Sequence, residues 1–222
     1  MQTCCPIVEL RQYTLHPGKR DDLIALFDRE FVESQEAHGA KIIGQFRDAG
    51  DPDRFVWLRG FADMESRENA LRAFYGGPVW KVHREAANAT MVDSDNVLLL
   101  RPARTNSGFH LDRVERAPTG AKAAAHRPVF ATMYFFDDAV PEKFVDNFEE
   151  AVVSASAQSG TPVLAYFVTE SAPNNFPALP IREGENVFVC FSAAEIGEID
   201  TRWKRRSTEI LRLEPTARSL VR

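Results

Sequence analysis

The chain has 222 residues, of which 44% are hydrophobic and 27% charged, and its formal net charge is -5. This composition is typical of a globular protein with one large or two small domains. The mild acidic excess does not favour binding to nucleic acid or to an anionic membrane surface. No apolar run approaches the ~20 residues that a membrane span needs.

The N-terminus and the cysteines indicate the cellular compartment in which the protein is expected. The opening "MQTCCPIVEL" lacks the basic start and apolar core of a signal peptide. Cys4 and Cys5 are adjacent and Cys190 is remote, so the sequence indicates neither a disulfide framework nor a CxxC motif. We therefore expect a cytoplasmic protein.

The first predicted element is a strand over residues 7–15, where apolar and polar side chains alternate. After the turn "HPG", Asp21 and Asp22 favour the first turn of a helix, and Gly39 can provide its left-handed end. A hairpin, "AKIIGQFRDAGDPDRFVWLRGF", and a helix, "MESRENALRAFY", come next. Pro78 can begin a further turn, and the strand "NVLLLRP" ends this half.

The second half of the chain repeats this order of elements. Its segments are "PVFATMYFF", "PEKFVDNFEEAVVSASAQSG", "TPVLAYFV", "NVFVCFS", "EIDTRWKRRS" and "EILRLEP", which predict strand, helix, strand, strand, helix and strand. An offset of 121 residues aligns residues 8–46 with residues 129–167 without a gap. Such a repeat indicates two copies of one supersecondary unit. The aligned pairs are Val8/Val129, Tyr13/Tyr134, Phe27/Phe148, Gly39/Gly160 and Phe46/Phe167.

The repeat divides the chain into unit 1 (residues 1–102), a polar linker (residues 103–126) and unit 2 (residues 127–222). The linker is weakly periodic and has room for a short peripheral helix. Unit 2 differs from unit 1 mainly by a proline-rich insertion in its hairpin, "TESAPNNFPALPIREGE". We interpret this insertion as a loop that borders another feature of the molecule.

The order βαββαβ predicts a ferredoxin-like unit, an antiparallel sheet with both helices on one face. The other face needs cover, and two such sheets in one chain can cover each other. The predicted fold is therefore α+β, with tandem ferredoxin-like units that form an intrachain dimeric α/β barrel. Helix faces and outer strand edges remain free, so we also expect a homo-oligomer.

The first strand carries an acid, a base and a phenol on one face. Residues two apart in a strand share a face, so Glu9, Arg11 and Tyr13 point together, opposite Val8 and Leu10. We expect the two apolar residues to contact the helices. The polar face should then point into the space between the two sheets.

The third strand obeys the same rule. Trp57 and Arg59 are expected to share the inward face of the sheet with the acid, base and phenol of the first strand. The corresponding inward positions of unit 2 carry Phe130, Thr132, Tyr134, Phe188 and Cys190.

The segment "VELRQYTLHPGKRDDLIALF", with the later "FVWLRGF", resembles the NIPSNAP family of dimeric α/β barrel proteins. The E-L-R-x-Y strand followed by P-G is the specific part, and "RLEPTARS" resembles the closing strand of that family. In unit 2 the match is looser, because Phe130 and Thr132 replace the acid and the base. The resemblance implies the barrel fold. It implies little about activity, since the wider superfamily includes cofactor-independent monooxygenases, haem-degrading enzymes, cyclases, isomerases and ligand binders.

The polar face is the candidate ligand site. A carboxylate between two guanidiniums can anchor an anionic or carbonyl group, or it can be a structural ion-pair network. The aromatic residues on this face can form the walls of a pocket, or they can be core residues. The predicted ligand-binding residues are Glu9, Arg11, Tyr13, Trp57, Arg59 and Tyr134.

No metal site or cofactor is predicted. The histidines have no metal-ligand spacing, and none is singled out as a haem ligand. "RWKRRS" is interpreted as a solvated helix face rather than a phosphate site. The chain has no P-loop, dinucleotide fingerprint or G-x-S-x-G motif.

Two functions stay open. The first is binding of a small polar or anionic planar organic ligand inside the barrel, as in a cofactor-independent monooxygenase or an isomerase. The second is a non-catalytic binding or scaffold protein with structural ion pairs in the barrel. An open cavity beside Glu9, Arg11 and Arg59 would favour the first function, and fully paired side chains with no void would favour the second.

Overall fold

The computed structural model describes residues 3–122, 127–197 and 202–222. Each unit begins with a strand and a helix that contains one π-helical turn. The elements of unit 1 are β1 (Ile7–Leu15), α1 (Arg20–Leu26), a π-helical turn (Phe27–Phe31), α2 (Val32–Glu36), β2 (Lys41–Asp48), β3 (Arg54–Phe61), α3 (Met64–Gly76), α4 (Pro78–Asn88) and β4 (Met91–Pro102). Those of unit 2 are β5 (Val129–Phe136), α5 (Glu142–Phe148), a π-helical turn (Glu149–Val153), α6 (Ser154–Ser159), β6 (Val163–Thr169), β7 (Asn186–Ser192) and β8 (Ser207–Pro215).

The eight strands of the described residues close into one antiparallel barrel in the order β1-β3-β2-β8-β5-β7-β6-β4. Two junctions join the units: β2 pairs with β8, and β4 pairs with β6. Closure removes the free edges that an open sheet would expose. The predicted fold is thus confirmed, with both halves of the barrel in one chain. Association with further copies of the chain stays a prediction, as do the unit boundaries.

The repeat is visible in the irregularities of the sheet as well as in its order. The pairing of β2 with β3 shifts between Ile42 and Gly44, and the pairing of β6 with β7 shifts between Val163 and Ala165. These positions are related by the same 121-residue offset as the sequence repeat. The two units therefore share a β-bulge at one position.

The interior of the barrel is apolar, which overturns the predicted direction of the two faces of β1. Val8 and Leu10 lie in one buried cluster with residues of unit 2 such as Met133 and Phe135. The opposite face of the sheet lies under the helices, where Tyr13 packs with Trp57 and with helix residues. Alternation identified which residues share a face but could not identify the face that points inward, because both faces are buried. The prediction of a ligand site inside the barrel is therefore wrong.

The same inversion holds in unit 2. Tyr134, Phe188 and Cys190, expected between the sheets, instead pack with Phe144 and Phe148 of α5. The barrel interior receives the intervening apolar residues of β5 and β7.

The segments outside the barrel strands also differ in part from the predictions. Residues 103–122 of the linker contain no helix, and Phe109 packs on Phe167 and Phe191 in the barrel core. The predicted helix "EIDTRWKRRS" is not helical over residues 202–207, and its residues 198–201 lie outside the described residues. Cys4 and Cys5 form a disulfide with each other. Within the described residues, none of the helices has the length and hydropathy that crossing a membrane requires.

Candidate functional site

A cluster of buried charges lies between the sheet and the helices of unit 1. Glu9 of β1 receives hydrogen bonds from three arginines: Arg11 Nη1 at 2.8 Å, Arg59 Nε at 2.7 Å and Arg67 Nε at 2.6 Å. All four side chains are fully buried. We call these four residues the arginine cluster.

Three elements bring the arginine cluster together. Glu9 and Arg59 are direct cross-strand partners on β1 and β3, and Arg11 follows Glu9 on the same face of β1. Arg67 comes from α3, where it shares the buried face with Ala70 and Phe74. The strands therefore provide the acid and two bases, and the helix above them adds the third base.

The charges of the cluster control one another. Burial by itself would raise the pKa of Glu9, but the surrounding guanidiniums of Arg59, Arg11 and Arg67 hold that pKa well below its usual range. Burial lowers the pKa of Arg67, and Glu9 opposes this shift. Both oxygens of Glu9 accept from arginines, so Glu9 is an ionised anchor and is not available as a general base.

The arginine cluster carries more positive than negative charge. Among the described residues, no second carboxylate forms an ion pair with its arginines. Arg59 Nη1 donates to the neutral Gln35 side chain at 2.9 Å, and the Nη2 atoms of Arg59 and Arg67 have no hydrogen-bond partner among the described residues. Aromatic rings offset part of the surplus, because the Arg11 and Arg59 guanidiniums lie 5.5 and 5.1 Å from the Trp57 ring centroid.

A small aromatic cavity adjoins the cluster. Its volume is about 30 Å³, enough for about one water molecule. The cavity is enclosed by the sheet, the first helix with its π-helical turn, and helices α3 and α4. Its lining residues are Tyr13, Leu23, Phe27, Phe31, Gln35, Trp57, Phe74, Tyr75, Trp80, Ala87 and Met91.

The polar atoms of the cavity residues favour an acceptor as occupant. Arg11 Nε donates to Tyr13 Oη at 3.0 Å, and Arg59 Nη1 donates to Tyr75 Oη at 3.4 Å. Each phenol oxygen thus accepts from an arginine while its own proton remains to be donated. Trp57 Nε1 is buried and has no partner among the described residues. Burial raises the pKa of Tyr13, which keeps this phenol protonated.

The structure brings together five of the six predicted site residues: Glu9, Arg11, Tyr13, Trp57 and Arg59. Tyr134 lies apart from them, in the aromatic cluster of unit 2 with Phe144 and Phe188. The separation follows from the inverted faces, because the helix-covered sides of the two sheets point away from each other.

Sequence reasoning missed Arg67, Gln35 and Tyr75. A signal for Arg67 was present, since an arginine on the apolar stripe of an amphipathic helix is unusual. Nothing comparable distinguished Gln35 or Tyr75 from surface residues. Among residues 3–122, 127–197 and 202–222, no group of three or more His, Cys, Asp or Glu side chains could hold a metal ion.

The fold and the arginine cluster define unit 1 as a sheet-and-helix unit of an α/β barrel with a buried charged site. Residues 8–105 match the family model of NIPSNAP, so the resemblance is confirmed over these residues. A search of curated proteins found no match.

Solved structures of similar proteins extend the likeness to the whole chain. A NIPSNAP-like domain protein from Burkholderia xenovorans is 28% identical and covers 43% of this chain and 84% of its own, with a TM-score of 0.40. Proteins to which monooxygenase activity is provisionally assigned, from Lactobacillus acidophilus and Fusobacterium nucleatum, are 16% and 11% identical. Both alignments cover 96% of this chain. The first covers 94% of the Lactobacillus protein with a TM-score of 0.55, and the second covers 93% of the Fusobacterium protein with a TM-score of 0.53. At these identities the last two show a shared fold alone.

Proposed function

We propose that unit 1 binds a small planar organic anion in the space between its sheet and its helices. The observation that supports this proposal is the arginine cluster, in which three buried guanidiniums surround one carboxylate. A buried charge without a partner costs several kcal/mol, a large part of the stability of an ordinary domain. An anionic ligand would remove this cost.

The cavity residues suggest the chemistry of the ligand. Tyr13, Tyr75 and Trp57 offer hydrogen-bond donors to an oxygen atom, and the surrounding rings can stack on a flat, conjugated body. A carboxylate, a phenolate or an enolate attached to a ring meets both requirements. The ligand class is therefore an aromatic or conjugated organic acid.

The same groups could support a reaction. An isomerase or a cofactor-independent monooxygenase that passes through an enolate or phenolate needs preorganised charge and donors at the developing oxyanion. Arg11 and Arg59 would provide the charge, and Tyr13 would provide a donor. The shared fold with proteins to which monooxygenase activity is provisionally assigned agrees with this class of chemistry. That no cofactor takes part stays a prediction.

A second candidate function has its own supporting observation. Both oxygens of Glu9 are already occupied by arginines, and the cavity is only about 30 Å³. A site of this kind can be a structural network that fixes the helices on the sheet. The ligand proposal therefore requires the cavity to widen on binding.

Substitution of Arg59 separates the two functions. Glu9 keeps Arg11 and Arg67 as partners in Arg59→Leu, so under the ligand proposal this variant folds, melts near the wild type and loses binding of aromatic carboxylates. Under the structural function, the free energy of unfolding of this variant falls by about 3 kcal/mol. Thermal melts with and without millimolar benzoate, and calorimetric titration with benzoate, measure both effects.

The control is Arg47→Leu, which removes an arginine that pairs with the exposed Asp21 away from the cluster. It should leave benzoate binding and the melting temperature nearly unchanged. The ligand proposal is wrong if Arg59→Leu melts well below the wild type and no aromatic acid shifts the wild-type transition.

A further inference from the structure

The insertion of unit 2 lies on unit 1. We call residues 170–185, between β6 and β7, the insertion loop. Its two ends pair with the backbone of β4: Glu170 N donates to Leu99 O at 2.9 Å and Arg182 N donates to Val97 O at 2.8 Å. The loop is thereby carried across the junction between the units to the side where α3 lies.

The middle of the insertion loop binds directly to the arginine cluster. Arg67 Nη1 donates to Asn174 Oδ1 at 3.1 Å and to Asn175 Oδ1 at 2.6 Å. Asn175 Nδ2 in turn donates to Met64 O at the start of α3, at 2.5 Å. Two neutral side chains of unit 2 thus satisfy one amino group of a buried arginine of unit 1.

Phe176, the next residue of the loop, packs against a wall of the cavity. It is buried, and its ring stacks on Tyr75 with centroids 6.0 Å apart and an interplanar angle of 26°. Tyr75 lines the cavity and also contacts Trp80, with centroids 4.9 Å apart. The Tyr75 ring is therefore held between Phe176 of the loop and Trp80 of α4.

We propose that Phe176 is the specificity-determining residue of the ligand site, because it fixes how far Tyr75 can move when a ligand enters. This inference rests on the proposed function. A cavity of about 30 Å³ holds one water molecule and cannot hold an aromatic ring, so a wall must move for a ring to bind. Tyr75 is a half-buried wall residue, and Phe176 stacks on its ring without itself lining the cavity.

The size of the ligand follows from this packing. With Phe176 in place, the site should accept a single ring that carries a carboxylate and should discriminate against a fused pair of rings. Asn175 donates to the backbone of α3, and Asn174 Oδ1 accepts from the Phe176 amide, which keeps Phe176 in register with Tyr75. Unit 2 thereby sets the selectivity of a site whose charges belong to unit 1.

The test is a change of size selectivity in the full-length protein. Affinities for benzoate and 2-naphthoate are measured by calorimetric titration for the wild type, Phe176→Ala and Leu179→Ala. Removal of the Phe176 ring should raise the affinity for 2-naphthoate relative to benzoate at least about tenfold, because a buried ring that is removed leaves a cavity. Leu179→Ala is the matched control, since Leu179 is on the same loop and packs on the same hydrophobic cluster but has no ring that stacks on Tyr75.

The outcomes separate this inference from the proposed function. If the wild type binds benzoate and Phe176→Ala has the same selectivity as Leu179→Ala, the inference is overturned and the proposed function stands. If neither acid binds any of the three proteins, the proposed function is overturned and this inference with it. Phe176→Leu, which keeps an apolar contact with Tyr75, replaces the alanine variant if the latter does not fold, and a smaller shift in the same direction is expected.

Discussion

The two units share one fold but differ in what lies beneath their helices. In unit 1 the cross-strand pair Glu9/Arg59 is charged, whereas the equivalent pair of unit 2 is Phe130/Ser192. Likewise, Arg11 faces Trp57 in unit 1, and Thr132 faces Cys190 at the same positions of unit 2. One layer holds a buried ionic cluster, and the other is formed largely by aromatic and aliphatic side chains.

This difference indicates that the fold does not need the buried charges. Unit 2 forms its half of the barrel without them, and buried ion pairs can often be replaced by apolar residues at no cost in stability. A cluster that the fold does not require, and that carries surplus positive charge, is more simply explained by a ligand than by architecture. The comparison therefore favours the ligand function over the structural one.

The π-helical turn is retained in both units, but its neighbours differ. In unit 1 it presents Phe27 and Phe31 to the cavity. In unit 2 its first residue, Glu149, accepts a hydrogen bond from Tyr166, and burial together with this bond raises the pKa of Tyr166. Such turns are frequent at functional sites, and among the described residues only the one in unit 1 adjoins a cavity with an arginine cluster.

The largest expected effect comes from removing the acid of the cluster. Glu9→Gln leaves three buried guanidiniums without a counter-charge and should lower the free energy of unfolding by about 3–5 kcal/mol. At the equivalent position of unit 2, Phe130→Leu should cost less than about 1.5 kcal/mol, because it exchanges one apolar side chain for another. Urea denaturation measures both, and equal losses would refute the contrast between the units.

The pH dependence of the same variant is the second prediction. The pKa of Glu9 is lowered in the folded state, so its contribution to stability is complete above its unfolded pKa of about 4.3 and is lost as the pH falls further. The stability difference between wild type and Glu9→Gln should thus be constant from pH 5 to pH 8 and shrink below about pH 4. Denaturation midpoints across this range test it, and a constant difference down to pH 3 would contradict it.

Much of this fold could be predicted from the sequence. The strands Ile7–Leu15 and Asn186–Ser192 have the predicted bounds, because alternation and flanking turns mark their ends. The inward and outward faces were reversed, because both faces of a barrel strand under helices are buried and alternation alone does not distinguish them. An interior that receives Val8 and Leu10 was the physically simpler choice.

The sequence predicted only those contacts of the site that join residues on the same strand or on paired strands. Strand spacing grouped the acid, bases and aromatic residues of β1 and β3 correctly. Contacts between distant segments were not accessible, since Arg67 meets Asn175 across 108 residues of chain. The predicted position of Tyr134 was wrong for a related reason. The repeat shows that Tyr134 and Tyr13 occupy equivalent positions of the two units, but equivalent positions need not be close in space.

The third prediction uses the bulge that the units share. An added Cβ at Gly44 would lie 2.5 Å from the buried ring of Phe46, so Gly44→Ala should overpack the core and cost about 1–3 kcal/mol. The equivalent residue of unit 2 is already alanine, and Ala165→Gly should cost only about 0.5–1 kcal/mol. Chemical denaturation of the two variants tests this asymmetry, and a stable Gly44→Ala variant would show that Phe46 can move.

The smallest effect distinguishes the two tyrosines that the repeat aligns. Tyr13→Phe removes the acceptor of Arg11 Nε and leaves a buried donor unpaired, so it should cost about 1–2 kcal/mol. Tyr134 packs in the aromatic cluster of unit 2, and its pKa is raised to about 12 mainly by burial, so Tyr134→Phe should change the free energy of unfolding by less than about 0.5 kcal/mol.

The affinity for benzoate is a second property in which Tyr13→Phe and Tyr134→Phe should differ. Under the proposed function Tyr13 donates to the bound oxygen, and loss of that hydrogen bond should weaken binding about tenfold, whereas Tyr134→Phe should bind as the wild type does. Calorimetric titration of both variants provides the comparison. If Tyr134→Phe weakens binding and Tyr13→Phe does not, the ligand occupies unit 2, and the contrast between a functional unit and a supporting unit is reversed.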